Sequence, residues 1–207
     1  MTTSPERLQR WIDGFTTRHG PVHQENDEHV VRLIAEDGSV AELEVPFPPL
    51  SGSLVDHVGR DRRVGVLLVR LGGSACGVFD GPRLVVSKVT TRQVHGRSAA
   101  GGQSQQRFAR RREGQVRVAL GAFADTAARV LAPVADSLDA VVVGGERTAV
   151  DAVLADRRLA ALRPLVSGRL LDGPDPRQKV LEASYDQLRA VWIRVVDAAQ
   201  PQRPEQL

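Results

Sequence analysis

Cysteine is all but absent: among 207 residues there is only Cys76. No intramolecular disulfide and no cysteine-rich zinc module can be built from it. Long apolar runs are absent too. The longest, near Val64–Val69 and Ala140–Val143, fall far short of the ~20 residues that span a bilayer. The opening MTTSPERLQRW lacks the apolar stretch of a secretory signal, so the cytoplasm is the expected location and no membrane is expected as a partner. No long-period repeat is visible. Lysine is scarce, with Lys88 and Lys179 against 26 arginines, a bias that a GC-rich genome would also produce. What remains is 42% hydrophobic and 26% charged, the balance of one globular domain or of one domain with a small appendage. Such a chain needs no metal or disulfide staple and is too apolar to stay disordered.

The charge is unevenly placed. From Lys88 to Arg117 there are eight basic residues and one acid, Glu113, whereas the rest of the chain nets −4. A segment of +7 beside an acidic remainder suits a polyanion-binding surface, because phosphate contacts supply most non-specific affinity.

Local patterns outline the elements. Ser4-Pro5-Glu6 caps a helix carrying Leu8, Trp11, Ile12 and Phe15 at helical spacing, which should end near Gly20-Pro21. A hairpin follows, His29–Ala35 and Val40–Val45 around Glu36–Ser39. Pro46, Pro48 and Pro49 ahead of Ser51-Gly52-Ser53 mark a boundary. Residues 1–50 thus read as a helix and β-hairpin appendage, 51–200 as the main domain and 201–207 as a frayed tail. In the main domain Val64–Leu71 and Ala75–Asp80 flank a turn at Gly72-Gly73-Ser74, and Arg83–Val94 is a third strand. A loop over 95–103 leads into a long helix, Ser104–Ser137. A strand at Leu138–Val143, a helix at Glu146–Ala155, a strand at Leu165–Leu171 and a terminal helix at Pro176–Ala199 complete the pattern. The expected class is α/β, a mixed sheet with flanking helices.

The long helix changes character along its length. From Val116 the apolar positions 116, 119, 120, 123, 127, 130, 131 and 134 form a core-facing stripe. From Ser104 to Gly114 the only large apolar residue is Phe108, so the first turns should project beyond the core. At ~100° per residue Arg107, Arg110 and Arg111 share a face, Arg117 lies near its edge and Arg112 points elsewhere. An ordinary solvated face would carry interleaved Glu for i,i+4 pairing, and only Glu113 is there. Ahead of the helix stands His95-Gly96-Arg97-Ser98-Ala99-Ala100-Gly101-Gly102-Gln103-Ser104. Five of the six residues from Ser98 to Gln103 are tiny, at a helix N-terminus where free N–H groups favour anions. No Gly-Lys-Ser/Thr follows, so it is not a P-loop.

His-Gly-Arg, then Gly101-Gly102-Gln103-Ser104, then Arg107-Phe108-Ala109-Arg110 resembles the GGQ segment of the eukaryotic and archaeal class-1 peptide-chain release factors. The similarity continues weakly through Val141–Gly145, Asp156–Leu159 and Val166–Leu171, and covers roughly residues 60–185, their catalytic middle domain. Three extra residues between Arg97 and Gly101 lengthen the loop. A GGQ domain without codon-reading or factor-binding domains most resembles the bacterial branch of the Vms-like release factors, peptidyl-tRNA hydrolases of ribosome quality control. The resemblance implies a GGQ-domain fold and hydrolysis of the ester between nascent peptide and tRNA, at the peptidyl-transferase centre of the large ribosomal subunit. It implies catalytic roles for Gln103, Gly102 and Gly101. Contacts to rRNA or tRNA would come from Arg97, Ser104, Arg107, Arg110, Arg111, Lys88 and Arg92; His95 either touches RNA or caps the strand end. No cofactor and no metal is expected.

Two rival readings stand beside it. A non-catalytic tRNA- or ribosome-binding module would share the fold and charges, and the Pelota proteins show that this fold can lose its GGQ; the intact triplet argues against that here. A nuclease would need carboxylates converging on a divalent metal, and Asp80 and Asp125 form no cluster. His19, His23 and His29 lack regular ligand spacing and read as solvated. Cys76, Trp11 and Trp192 read as packing residues, and Gly144-Gly145 as a strand-to-helix turn.

Overall fold

The computed structural model describes residues 1–91 and 103–198, with backbone alone for 103–109. They form two compact units: residues 1–60 with the segment from Arg189 onward, and Asp61–Leu188. Together they give the expected α/β architecture, with a helix and hairpin near the N-terminus and a mixed sheet flanked by helices beyond it.

In the first unit, β1 (Thr2–Thr3), β2 (Val22–Asn26), β3 (Val30–Ala35), β4 (Val40–Glu44) and β9 (Val191–Val196) form an antiparallel sheet in the order β1-β9-β4-β3-β2. Side chains alternate in and out along β3 and β4, as a half-buried strand requires. Val31, Leu33, Ala41, Leu43, Val191 and Ile193 bury against Leu8 and Phe15 of α1 (Pro5–His19). Trp11 stacks on Phe15 with ring centroids 5.6 Å apart. On the other face Glu42 takes hydrogen bonds from Arg32 and Arg194, one strand to either side. In α2 (Leu54–Gly59) His57 is buried: Ser51 N donates to its Nδ1 at 3.1 Å, and its Nε2 lies 2.8 Å from Pro46 O.

The second unit holds β5 (Arg63–Arg70), β6 (Gly73–Asp80), β7 (Arg83–Thr91) and β8 (Ala140–Gly145) in the order β7-β6-β5-β8. Only the β5–β8 pair is parallel, so the sheet is mixed. Near-continuous burial of β5, β6 and β8 reflects cover on both faces. On one side α3 (Gln103–Val130) packs with α4 (Arg147–Leu154) and two 3₁₀ segments, Ala132–Ser137 and Arg157–Leu165, around Leu67, Val69, Cys76, Phe123, Leu131, Val141 and Leu162. On the other lies α5 (Gln178–Arg189), whose Tyr185 meets Phe79 at 5.3 Å between centroids. At the end of β8 Gly145 has φ +98°, and a methyl there would collide with the Val69 carbonyl. Gly144-Gly145 is the strand-to-helix turn the sequence suggested.

Several elements differ from the sequence reading. The terminal helix expected over Pro176–Ala199 is instead α5 followed by β9. Val191 and Ile193 are buried and Trp192 and Arg194 face out, a two-residue alternation that a helix cannot produce. The expected strand at Leu165–Leu171 is reduced to two isolated bridges, Val166 to Val141 and Leu171 to Gly144, because Gly168 at φ +77° turns the chain between them. The long helix stops at Val130, as Pro133 lacks an N–H and crowds the carbonyl of residue 129. The turn after β5 tightens to Leu71-Gly72, with Gly73 and Ser74 already in β6. Residues 92–94, read as the end of the third strand, lie outside the described residues. No helix among the described residues is long and apolar enough to cross a membrane.

Candidate functional site

Charge divides by unit. Residues 61–188 carry 20 basic and 13 acidic residues, a net +7; the other unit carries 8 and 12, a net −4. The basic excess therefore lies in the mixed-sheet unit.

α3 carries most of the candidate residues whose position is described. Arg, Gln and Ala fill its first turns, residues that favour helix without needing a core. Among its side chains described from residue 110 onward, the first fully buried one is Ala119; Phe123, Ala124 and Ala127 follow. Arg110 and Arg111 are exposed, as are Arg117 and Val118 farther along. Arg112 is half-buried, with Nε shut away from solvent and without a hydrogen-bond partner. Its 4-3-4 spacing to Val116, Ala119 and Phe123 puts it on the packing side, about 160° around the helix from Arg110.

Gln103, Ser104 and Arg107 lie in the first turns of α3, where only the backbone is described. Lys88 is exposed on β7, paired in register with Cys76 of β6. Arg92, His95, Arg97, Gly101 and Gly102 lie outside the described residues. Of the candidates whose side chains are described, Arg110 and Arg111 are exposed on α3 and Lys88 on the edge strand β7. Asp80 is exposed at the end of β6 and Asp125 is engaged by Arg158, and among the described residues no group of three His, Cys, Asp or Glu could hold a metal ion.

Polar contacts at the base of α3 escaped the sequence reading. Thr126 is buried, donates to Ala122 O at 2.9 Å and lies 3.0 Å from Thr90 Oγ1 on β7. Beside it, Asp125 takes a 2.7 Å hydrogen bond from Arg158 of the second 3₁₀ segment. Arg158 also engages Asp156, which holds that carboxyl well below the ordinary carboxylate range; the two carboxylates raise the guanidinium in turn. A threonine at position 126, on the core side of an otherwise apolar stripe, was the available signal. Cys76 is a packing residue of this core, and burial pushes its thiol up to about 12.

The model of one protein family, described as Actinobacteria/chloroflexi VLRF1 release factor, matches residues 62–194. That span runs from the start of the mixed sheet through α5 into β9. No curated protein matches the chain.

Proposed function

Because the chain belongs to the Actinobacteria/chloroflexi VLRF1 release factor family, we propose that it is a peptidyl-tRNA hydrolase, freeing nascent peptide from tRNA on the large ribosomal subunit. One observation carries the reading. In the sequence the Gly101-Gly102-Gln103 triplet runs into the start of α3, on which Arg110, Arg111 and Arg117 are exposed and, among the side chains described from residue 110 onward, Ala119 is the first fully buried. A helix built this way can reach beyond its own domain into a confined, RNA-walled site.

The chemistry asked of these residues is modest. Water attacks the ester carbonyl, a tetrahedral oxyanion forms and the ribose hydroxyl departs. Backbone N–H groups near Gln103, at the positive end of α3, stabilise the oxyanion or the leaving hydroxyl. The Gln103 amide orients the water or excludes larger nucleophiles. An amide is far too weak a base to take the proton, so its part is placement, and the remaining catalysis comes from the RNA surroundings and the tRNA ribose. Gly101 and Gly102 keep the approach free of side chains. Arg97, Arg107, Arg110 and Arg111, with Lys88 and Arg92, meet phosphates, assisted by Ser104 and His95.

The test is release of a labelled nascent peptide from isolated large subunits carrying peptidyl-tRNA. The chain should release it, and Gln103→Ala should lower the rate about 100-fold or more while subunit binding persists. Subunit binding without release by the wild-type chain would establish the alternative, a non-catalytic tRNA- or ribosome-binding module.

A further inference from the structure

We propose that Thr126 is a positioning residue: its hydrogen bond with Thr90 sets the direction in which α3 leaves the sheet, and so where Gln103 is delivered. The inference rests on the peptide-release reading.

The base of α3 is held by two kinds of contact. Phe123, Ala127 and Leu131 bury apolar surface, which resists separation but is non-directional and tolerates small rolls and slides. Hydrogen bonds have preferred angles and lengths and restrict those motions. Thr126 is the one buried polar side chain among those described on α3. Its single hydroxyl proton goes to Ala122 O, one helical turn back. Towards Thr90 it must therefore accept, and the Thr90 hydroxyl donates across from β7. Asp125, its neighbour, is bound to Arg158 on a different element. Adjacent residues thus tie α3 in two directions.

Thr90 is the penultimate residue of β7, the strand that leads in sequence to His95 and Gly101, and α3 is the helix that follows Gly102. One hydrogen bond joins the elements on either side of the GGQ segment.

Leverage makes this contact matter. Thr126 lies 23 residues from Gln103, about 35 Å along the helix at 1.5 Å per residue. Among the side chains described from residue 110 onward none is fully buried before Ala119, and a continuous helix carries the direction set at its base to its N-terminus. A tilt of about 2° at Thr126 shifts Gln103 by about 1 Å, enough to cost a reaction about 100-fold when placement is the protein's main contribution.

The test uses the full chain in single-turnover peptide release from large subunits, with melting temperature and subunit affinity measured in parallel. Thr126→Val keeps shape and removes the acceptor; Thr126→Ser keeps the hydroxyl. We expect Thr126→Val to retain its melting temperature within a few degrees and its subunit affinity within about twofold. Its release rate at saturating protein should fall roughly 10- to 100-fold, with Thr126→Ser close to wild type. Thr90→Val, on the half-exposed strand, should reproduce the fall, and the double valine variant should be no slower than either single one. If Thr126→Val and Thr90→Val release at the wild-type rate, or if Thr126→Ser is as slow as Thr126→Val, the positioning role is wrong. A wild-type chain that releases nothing overturns the hydrolase reading itself, a separate outcome.

Discussion

If α3 meets RNA through its arginines, replacing Arg107, Arg110 and Arg111 together with alanine should lower affinity and flatten its salt dependence. Each phosphate contact contributes about 0.7–0.9 to the slope of log affinity against log salt. Three lost contacts flatten that slope by about 2–2.7. Between about 50 and 200 mM salt, a fourfold change, the wild-type chain should lose about 20- to 40-fold more affinity than the triple variant. Arg112 is the internal control. It is adjacent in sequence but half-buried on the packing side, so Arg112→Ala should leave the slope within a few tenths of wild type. The assay is equilibrium binding to purified large subunits over a salt series at constant magnesium. A triple variant with an unchanged slope would make the cluster an ordinary solvated face. Equal effects from Arg110→Ala and Arg112→Ala would refute the assignment of faces.

Further predictions concern the scaffold. Gly145→Ala forces a methyl onto the Val69 carbonyl at a φ of +98° and displaces the Glu146 N–H that bonds the same carbonyl, a combined cost of about 3 kcal/mol. Cys76, whose thiol is buried in that unit, should then react with a thiol reagent roughly 100-fold faster. Gly72→Ala, where a methyl would meet nothing within 4 Å, should leave labelling unchanged; equal rates for the two variants would refute the collision. In the other unit the carboxyls of Glu42, Asp27 and Asp37 sit below their ordinary values of 4.5, 3.8 and 3.8. The causes are the arginines beside Glu42, the His29 and Val30 amides at Asp27, and the Ser39 amide at Asp37. Their stabilisation is complete above those values and is lost as pH falls through the lower folded ones, so the unit should weaken below about pH 4.5. Trp11 and Trp192, the only tryptophans, both report on it. Denaturation followed by their fluorescence should show Glu42→Gln less stable at pH 7 and less acid-sensitive; parallel pH curves for variant and wild type would contradict this.

The parts of the fold that could be read from the sequence are those with one dominant period. β3 and β4 alternate, the second half of α3 repeats every three to four residues, and β5 and β8 are short β-branched runs. Between Val180 and Val195 two periods coexist. Val191, Trp192 and Val195 extend the helical spacing of Leu181 and Leu188, yet Val191, Ile193 and Val195 also alternate. With neither glycine nor proline at the break, the local pattern could not choose; pairing with β4, about 150 residues away in sequence, decides it. β2 was missed because it is a polar edge strand, Val-His-Gln-Glu-Asn, whose period has no core to follow. At the candidate site the concentration of charge is legible in the sequence, because it is local. The tie between Thr90 and Thr126 depends on how a helix lies across a sheet, which no spacing in the chain encodes.

The position of β9 fixes an order of assembly. It lies between β1 and β4 in the first unit's sheet, yet in the chain it comes only after all of Asp61–Leu188. Every strand of the mixed sheet is synthesised before it, so that sheet can close while the nascent chain is still attached to its own ribosome. The first unit waits: α1 and the β2–β4 meander form early, but one flank of β4 stays open until Val191–Val196 arrives. During that interval the bare edge needs protection from pairing with other chains. A message truncated ahead of Val191 would leave it open permanently, and its product should be soluble only if something else covers β4.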